Sequence, residues 1–192
     1  MVSSLNPLEK ALGIALLNAL SSYLLFNHKF KGDTIVVENK IVEALMKNIE
    51  EPVLVIGNLR SLVNRLRESG IKKIWVVERN PSLRCREALS DAAATRLLRK
   101  TKTVYATGAT LVNDTIDYIL RIKRDDTKLI LVGPTAGAHP HPILKAGVHM
   151  IASIRITKCD EALKAMARGG GRRELRLYSK DYVAHKTHDY AP

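Results

Sequence analysis

The feature that most constrains the fold is a repeated pairing of a short apolar run with a helical pattern. The runs are rich in Val, Ile and Leu, end in small or polar residues, and occupy 53–57, 74–77, 104–107, 128–132 and 150–156. Runs without polar alternation are typical of strands that are covered on both faces, and helices between them imply right-handed crossovers in a parallel sheet. The pattern predicts a doubly wound α/β fold, with a mostly parallel sheet and helices on both faces.

The segment 104–120 points to a binding site. Its apolar run breaks at Thr107 and Gly108, and an amphipathic helical pattern follows directly. The start of a helix presents unpaired N–H groups, and small, hydroxyl or amide side chains beside them suit an anion or another polar ligand. We therefore expect Thr107, Gly108, Thr110 and Asn113 to line a ligand site.

The other strand ends supply further candidates. In doubly wound folds, ligands bind beyond the carboxyl ends of the strands, near the point where the strand order reverses. The residues that follow the other apolar runs, and that we add to the predicted site, are Gly57, Asn58, Glu78, Asn80, Gly133 and Pro134. Gly, Pro and Asn after a strand are also ordinary turn residues, so a purely structural interpretation stays open.

Glu78 raises the question of a nucleotide ligand. It ends a strand about twenty residues after Gly57, the spacing at which dinucleotide-binding domains place an acid on a ribose hydroxyl. The first turn, however, lacks the G-x-G-x-x-G pattern, which argues against NAD. A nucleoside-bearing ligand such as S-adenosylmethionine remains an alternative, as does a surface Glu78 paired with Arg79 or Arg84.

His139 and His141 are the best local candidates for a metal site. They stand two residues apart in a segment stiffened by proline, so both side chains can point to one side and bind a divalent transition metal. Cys85, Cys159 and Asp160 are conceivable further ligands, but sequence spacing alone does not bring them together. A solvated loop with two incidental histidines is the alternative.

Charge and composition limit the choice of partners. The chain carries 31 Lys and Arg against 19 Asp and Glu, a net charge of +12, and the segment 168–176 mixes Arg with Gly in a way that could follow a phosphate backbone. The positive charge is spread over the whole chain, and no recognised nucleic-acid module appears. Nucleic acid is therefore a possible partner that we do not favour, and the high charge content also suits a heat-adapted, thermophilic protein.

Two further observations bear on location. The two cysteines fit a reducing compartment, so we expect a cytoplasmic protein. The apolar segment 11–26 is interrupted by Asn18, Ser21 and Ser22, which predicts a packed helix and no segment of membrane-spanning length. The polar tail 178–190 is compatible with an added edge strand, a lid or disorder.

Several of these blocks occur together in the order seen in a known family. They are the segments 12–15, 18–20, 55–58, 78–81, 107–113 with Thr115, and 133–135. Over roughly residues 7 to 172 the chain resembles an uncharacterised prokaryotic family labelled for heavy-metal chelation. The resemblance implies a Rossmann-like domain joined to a small domain similar to the N-terminal part of enolase, with a polar cleft between them.

The N-terminal part is shorter than the family pattern. We interpret residues 1–49 as a truncated enolase-like appendage of helix, strand and helix, and residues 50–192 as the Rossmann-like domain. An apolar helix that lacks a neighbour predicts a homo-oligomer. The expected function is binding of a metal, a metal chelate or a small polar ligand at the carboxyl ends of the strands. The alternatives are a Rossmann enzyme for a nucleoside ligand and a basic nucleic-acid-binding or assembly module.

Overall fold

The computed structural model describes residues 1–27 and 34–187. Its helices are α1 (Pro7–Asn27), α2 (Ile41–Met46), α3 (Arg60–Glu68), α4 (Ala94–Leu98), α5 (Thr115–Ile122), α6 (Pro140–Lys145), α7 (Cys159–Ala167) and α8 (Arg172–Leu175). Its strands are β1 (Thr34–Glu38), β2 (Val53–Ile56), β3 (Ile74–Val77), β4 (Thr103–Thr107), β5 (Lys128–Val132), β6 (Met150–Ile156) and β7 (Ser179–Lys186).

The strands form one seven-stranded sheet in the order β1-β7-β6-β5-β4-β2-β3. Strands β2 to β6 are mutually parallel, with Val53 of β2 opposite Ile74 of β3 on one side and Thr103 of β4 on the other. Strand β7 runs antiparallel to both β6 and β1. The predicted α/β fold with a mostly parallel sheet is confirmed.

Helices cover both faces of the sheet, and their positions show where the strand order reverses. On one face, Leu62, Val63 and Leu66 of α3 pack with α2 against alternate residues of β2 and β4. On the other face, α4, α5 and α6 pack against the intervening residues of the same strands. Because the connections on the two sides of β2 use opposite faces, the topological switch point lies between β2 and β4.

The helix predicted directly after Gly108 begins later than expected. Residues 108–111 form a 3₁₀ turn, and α5 starts only at Thr115, after Asp114 with a φ of 57°. The cause is local hydrogen bonding, since the Thr107 hydroxyl oxygen accepts from the Ala109 N–H and the Thr110 hydroxyl donates to the Thr107 carbonyl. The start of the α-helix therefore lies at Thr115 and not at Gly108.

The C-terminal segment becomes part of the sheet. Strand β7 lies between β6 and β1, so it is an interior strand and not the edge strand that was one of the three predicted alternatives. The last residues of the predicted tail, 188–190, lie outside the described residues. Strand β1 belongs to the same sheet through β7, and the division of the chain at residue 49 stays a prediction.

Helix α1 packs on the sheet only in part. The Phe26 ring meets the Tyr182 ring edge-on at 5.2 Å, and the Arg155 guanidinium lies 4.5 Å from the Phe26 centroid. Leucines along the other side of α1, among them Leu8, Leu12 and Leu20, are exposed. By length and composition this 21-residue helix could cross a membrane, contrary to the expectation that no segment would be long enough. Self-association through this helix stays a prediction.

Candidate functional site

The carboxyl ends of β2 and β4 meet at Gly57 and Thr107, where the switch point lies. Gly57 has a φ of +99°, and a Cβ built on it would lie 2.6 Å from Cγ2 of Thr107. The Gly57 N–H donates to the carbonyl of Val77 at the end of β3 (2.9 Å). A side chain at position 57 would push these strand ends apart, so glycine is required here for close packing.

The predicted residues after β4 use their polar groups within their own turn. Thr110 is only 2% exposed, and its hydroxyl donates to the Thr107 carbonyl at 2.8 Å. The exposed Asn113 accepts from the Thr115 N–H (3.2 Å) and so caps α5. Gly108 is buried against the turn that follows β5, with a virtual Cβ 2.4 Å from the Ala136 nitrogen. This turn is closed by its own hydrogen bonds.

The turn after β5 is held from two sides. The Ser153 hydroxyl donates to the carbonyls of Gly133 (3.1 Å) and Pro134 (3.4 Å). From α1, the Asn18 amide donates to the carbonyls of Pro134 (3.3 Å) and Thr135 (3.1 Å). The Asn18 Oδ1 is buried, and within the described residues it has no hydrogen-bond partner. Sequence reasoning placed Asn18 in a family block but not in the site.

Glu78 and Asn80 follow the end of β3, and the side chain of each accepts a hydrogen bond from the backbone two residues further on. The Asn80 N–H donates to the Glu78 carboxylate (2.8 Å), and the Asn80 side chain accepts from the Ser82 N–H (3.0 Å). Of the two arginines suggested as partners of the Glu78 carboxylate, Arg84 donates to the Glu78 carbonyl (2.7 Å) and Arg79 pairs with Asp91 (2.8 Å). The Arg79 guanidinium lowers the pKa of Asp91 below its usual range.

A small cavity of about 140 Å³ unites part of the predicted set. It is lined by Gly57, Asn58 and Glu78, together with the half-buried, free thiol of Cys85. The prediction that the ends of β2 and β3 would come together is supported by this geometry. Ligand binding by these residues stays a prediction.

The two histidines stay local. The His139 ring nitrogen accepts from the His141 N–H (3.4 Å) at the start of α6, and partial burial, with the nearby His141, lowers the pKa of His139. In residues 1–27 and 34–187, no group of three or more His, Cys, Asp or Glu side chains is arranged to hold a metal ion. Cys159 is exposed at the start of α7. The described residues therefore do not fit a metal ion bound directly by the protein.

A larger cavity, of about 370 Å³, lies between α2, α3 and the segment around α8. Asn58 and Val132, at the carboxyl ends of β2 and β5, form part of its lining. The buried Tyr105 hydroxyl donates to the carbonyl of Leu45 and so fixes the α2 wall, and burial raises the pKa of this phenol. We call this space the α2–α3 cavity.

Apolar and cationic side chains share the lining of the α2–α3 cavity. The apolar ones are Ile41, Val42, Leu45, Met46, Leu59, Leu62 and Val132. The charged ones are Arg60, Arg65, Arg173, Arg176 and Asp181. Sequence reasoning missed the arginines as a group; the only signal was the basic segment 168–176, which was interpreted as a possible nucleic-acid contact.

Comparison with known proteins gives relatives whose own functions are not known. An uncharacterised protein of Methanocaldococcus jannaschii is 37% identical over 165 residues, covering 85% of this chain and 61% of that protein. The chain therefore spans less than two thirds of the length of this curated relative.

Two crystal structures of proteins of unknown function share the fold. The one from Pyrococcus horikoshii is 27% identical with a TM-score of 0.80, and the match covers 95% of this chain and 71% of that one. The one from Desulfitobacterium hafniense is 20% identical with a TM-score of 0.73, and it covers 96% and 71% of the two chains. Both are described as members of the DUF364 family. The sequence profile of the same family matches residues 40–185, so the protein belongs to the family described as "Putative heavy-metal chelation".

Proposed function

We propose that the protein binds a small polar ligand, or a metal held in a small chelate, at the carboxyl ends of β2 and β5. The observation that carries this proposal is the α2–α3 cavity, which reaches the strand ends at Asn58 and Val132. Its volume of about 370 Å³ is in the range of small-molecule sites. Doubly wound proteins use the edge of the sheet beside the switch point for their ligands.

Asn58, Leu59 and Arg60 line both cavities at this edge, and Asn58 is the one of the three that carries an amide side chain. It is exposed, and it lines both the α2–α3 cavity and the smaller cavity that contains Glu78. Its amide can both donate and accept hydrogen bonds, which suits recognition of an oriented polar ligand. We therefore expect Asn58 to contribute more to ligand affinity than Thr110, whose hydroxyl is committed to its own turn.

The family description concerns heavy metals, and it is compatible with this site in one form. Because the described residues provide no cluster of His, Cys, Asp or Glu ligands, a metal would enter with its own chelator. The protein would then contact the chelator through hydrogen bonds and charge and would leave the metal coordination intact. A divalent transition metal alone is expected to bind weakly.

A nucleoside ligand is the second candidate. Glu78 ends β3 and lines the smaller cavity beside Gly57 and Asn58, which is where a ribose would meet an acidic side chain in a nucleotide-binding domain. The Glu78 carboxylate already accepts from the Asn80 N–H, so one oxygen remains for a ribose hydroxyl. This candidate predicts binding of S-adenosylmethionine that depends on Glu78.

The test is a thermal-shift screen followed by amide chemical-shift mapping. The probes are free Ni²⁺, the nickel complex of ethylenediaminetetraacetate, which fills the coordination sphere of the metal, and S-adenosylmethionine, because a ligand of the native state raises its stability. We expect the nickel complex or S-adenosylmethionine to shift the amide signals of residues 57–62. Replacement Asn58→Ala should weaken that binding about tenfold through loss of a hydrogen bond to a charged ligand.

The control is Asn27→Ala, at the far end of α1, which should leave affinity unchanged. Binding of free Ni²⁺ as tight as that of its complex, with shifts centred on His139, would contradict the proposal. So would probes that bind with equal affinity to both asparagine variants.

A further inference from the structure

Four arginines from separate parts of the chain converge on the α2–α3 cavity. Arg60 and Arg65 belong to α3, Arg173 belongs to α8, and Arg176 follows in the next turn. Among the residues that the structure describes, the lining contains a single carboxylate, that of Asp181. Four guanidinium groups against one carboxylate leave this cavity strongly positive.

In the described part of the chain, the four arginines of this lining are not held in ion pairs, although the Glu174 carboxylate, whose pKa is lowered by the Gly171 N–H, is near enough to Arg173 for that arginine to contribute to the lowering. Within the described residues, none of the four arginines has a carboxylate oxygen within the 4.0 Å of an ion pair, and Arg60 donates only to the Leu83 carbonyl (3.3 Å). On the same helix, Arg67 pairs with Glu87 outside the cavity. The guanidinium groups of the cavity therefore keep their hydrogen-bond donors for another partner.

The surroundings strengthen the attraction of a charged ligand. The wall formed by Ile41, Leu45 and Leu62 is apolar and largely buried. A cleft with charge of one sign and low-dielectric walls focuses the field on its interior, which favours a counter-charge there. Guanidinium groups also match the geometry of carboxylate and phosphate oxygens through paired N–H donors.

We propose that the ligand of the α2–α3 cavity is an organic anion that carries at least two carboxylate or phosphate groups. Its charged groups meet Arg65, Arg173 and Arg176, and its carbon skeleton lies against α2. This inference rests on the proposed function and names the ligand class of the same site. A multiply charged carboxylate is also the chemistry of a chelator that holds a metal.

The same arginines could in principle contact nucleic acid, and the geometry favours the small anion. The cavity of about 370 Å³ is bounded by α2, α3 and α8, whereas a polynucleotide needs an extended basic groove with aromatic side chains for stacking. The cavity lining contains no aromatic residue among the described residues. A polynucleotide is therefore treated as an outcome of the test.

The experiment measures binding of citrate and of 3-phosphoglycerate by isothermal titration calorimetry. These probes separate carboxylates alone from carboxylate with phosphate. The cavity variant is Arg65→Gln/Arg173→Gln, and its control is Arg99→Gln/Arg121→Gln. Arg99 and Arg121 are exposed on the opposite side of the sheet, and their replacement removes the same amount of charge. We expect at least one probe to bind, with affinity reduced about tenfold or more in the cavity variant and less than about twofold in the control.

Two results would overturn the inference. One is absence of binding of both probes at millimolar concentration; the other is an equal loss of affinity in both double variants, which would report net charge only. A single-stranded oligonucleotide that binds more tightly than either probe, with a steep salt dependence and sensitivity to the cavity variant, would likewise overturn it.

Failure of this inference can be told from failure of the proposed function. If S-adenosylmethionine shifts the amides of residues 57–62 while citrate and 3-phosphoglycerate do not bind, the site exists and the ligand class is wrong. If no small probe affects these amides, the site itself is wrong. Circular dichroism and unfolding curves of each double variant establish that it is folded.

Discussion

Two regions at the same edge of the sheet differ in whether their polar side chains are bonded to other groups of the protein. In the turns after β4 and β5, hydroxyl and carbonyl groups bond to one another, and Asn18 and Ser153 donate to the carbonyls, while within the described residues the buried Asn18 Oδ1 has no partner. In the α2–α3 cavity, the guanidinium groups of Arg65, Arg173 and Arg176 form no ion pair among the described residues. The first region stabilises the turns, and the second is the region that we propose binds a ligand.

The difference changes which residues deserve attention. Thr110 and Asn113 have side chains typical of binding sites, yet their hydrogen bonds are used within the turn. An arginine in a solvated helix looks ordinary in sequence and becomes informative only when others share its cavity. Residue type alone is therefore a poor guide to this site, because the same polar side chains can be committed to a turn.

The largest effect on stability is expected from a side chain added where the turns after β4 and β5 touch. In Gly108→Ala the new methyl group would lie 2.4 Å from the backbone nitrogen of Ala136, which cannot retract without moving the turn. We expect the free energy of unfolding to fall by about 3 kcal/mol, measured by urea denaturation. Gly171→Ala is the control, because a Cβ at position 171 would lie 3.8 Å from the Glu174 carboxylate oxygen, an ordinary contact distance. Equal losses for the two variants would mean that the turns are not closely packed.

A smaller effect on stability is expected from removing the hydrogen bonds between α1 and the turn after β5. Asn18→Ala deletes both amide hydrogen bonds to Pro134 and Thr135, and we expect a loss of about 2 kcal/mol in the free energy of unfolding. Asn27→Ala, which loses one exposed bond to the Tyr23 carbonyl, should cost at most about 0.5 kcal/mol. If the order of these two losses were reversed, α1 would not be anchored through Asn18.

The smallest effect on stability is expected in the cavity. Arg65→Gln and Arg173→Gln remove charges that repel one another, so the free energy of unfolding should stay within about 0.5 kcal/mol of the original or rise slightly at low salt. The matched variant is Arg67→Gln, on the same helix as Arg65. It breaks the ion pair of Arg67 with Glu87, so its free energy of unfolding should not rise. A large loss in the cavity variants would assign these arginines to structure and remove the contrast between the regions.

Much of the fold follows from local pattern. The apolar runs at 53–56, 74–77 and 128–132 become strands because they lack polar alternation, and the amphipathic segment 60–68 becomes α3 because its apolar residues recur at helical spacing. The start of α5 was predicted too early, since side-chain bonds around Thr107 stabilise a 3₁₀ turn that periodicity does not reveal.

The candidate site followed from the sequence only in part. Strand ends were predictable, and Gly57, Asn58 and Glu78 do line one cavity. The pairing of β7 between β6 and β1 was not, because strand neighbours far apart in sequence leave no local signal. Metal binding by His139 and His141 stays a prediction, and His141 lies in α6 and not in the extended segment that the prolines indicated.

The sequence by itself determined the type of the main elements, the parallel sheet and the edge at which a ligand is expected, since these depend on periodicity and on turn residues close in the chain. Tertiary structure alone decided which polar groups are consumed and which remain available. Arg60 and Arg173 come from α3 and α8, elements far apart in the chain, yet they line one cavity because the sheet brings their helices together. Charge convergence of this kind is a property of packing, and no local pattern encodes it.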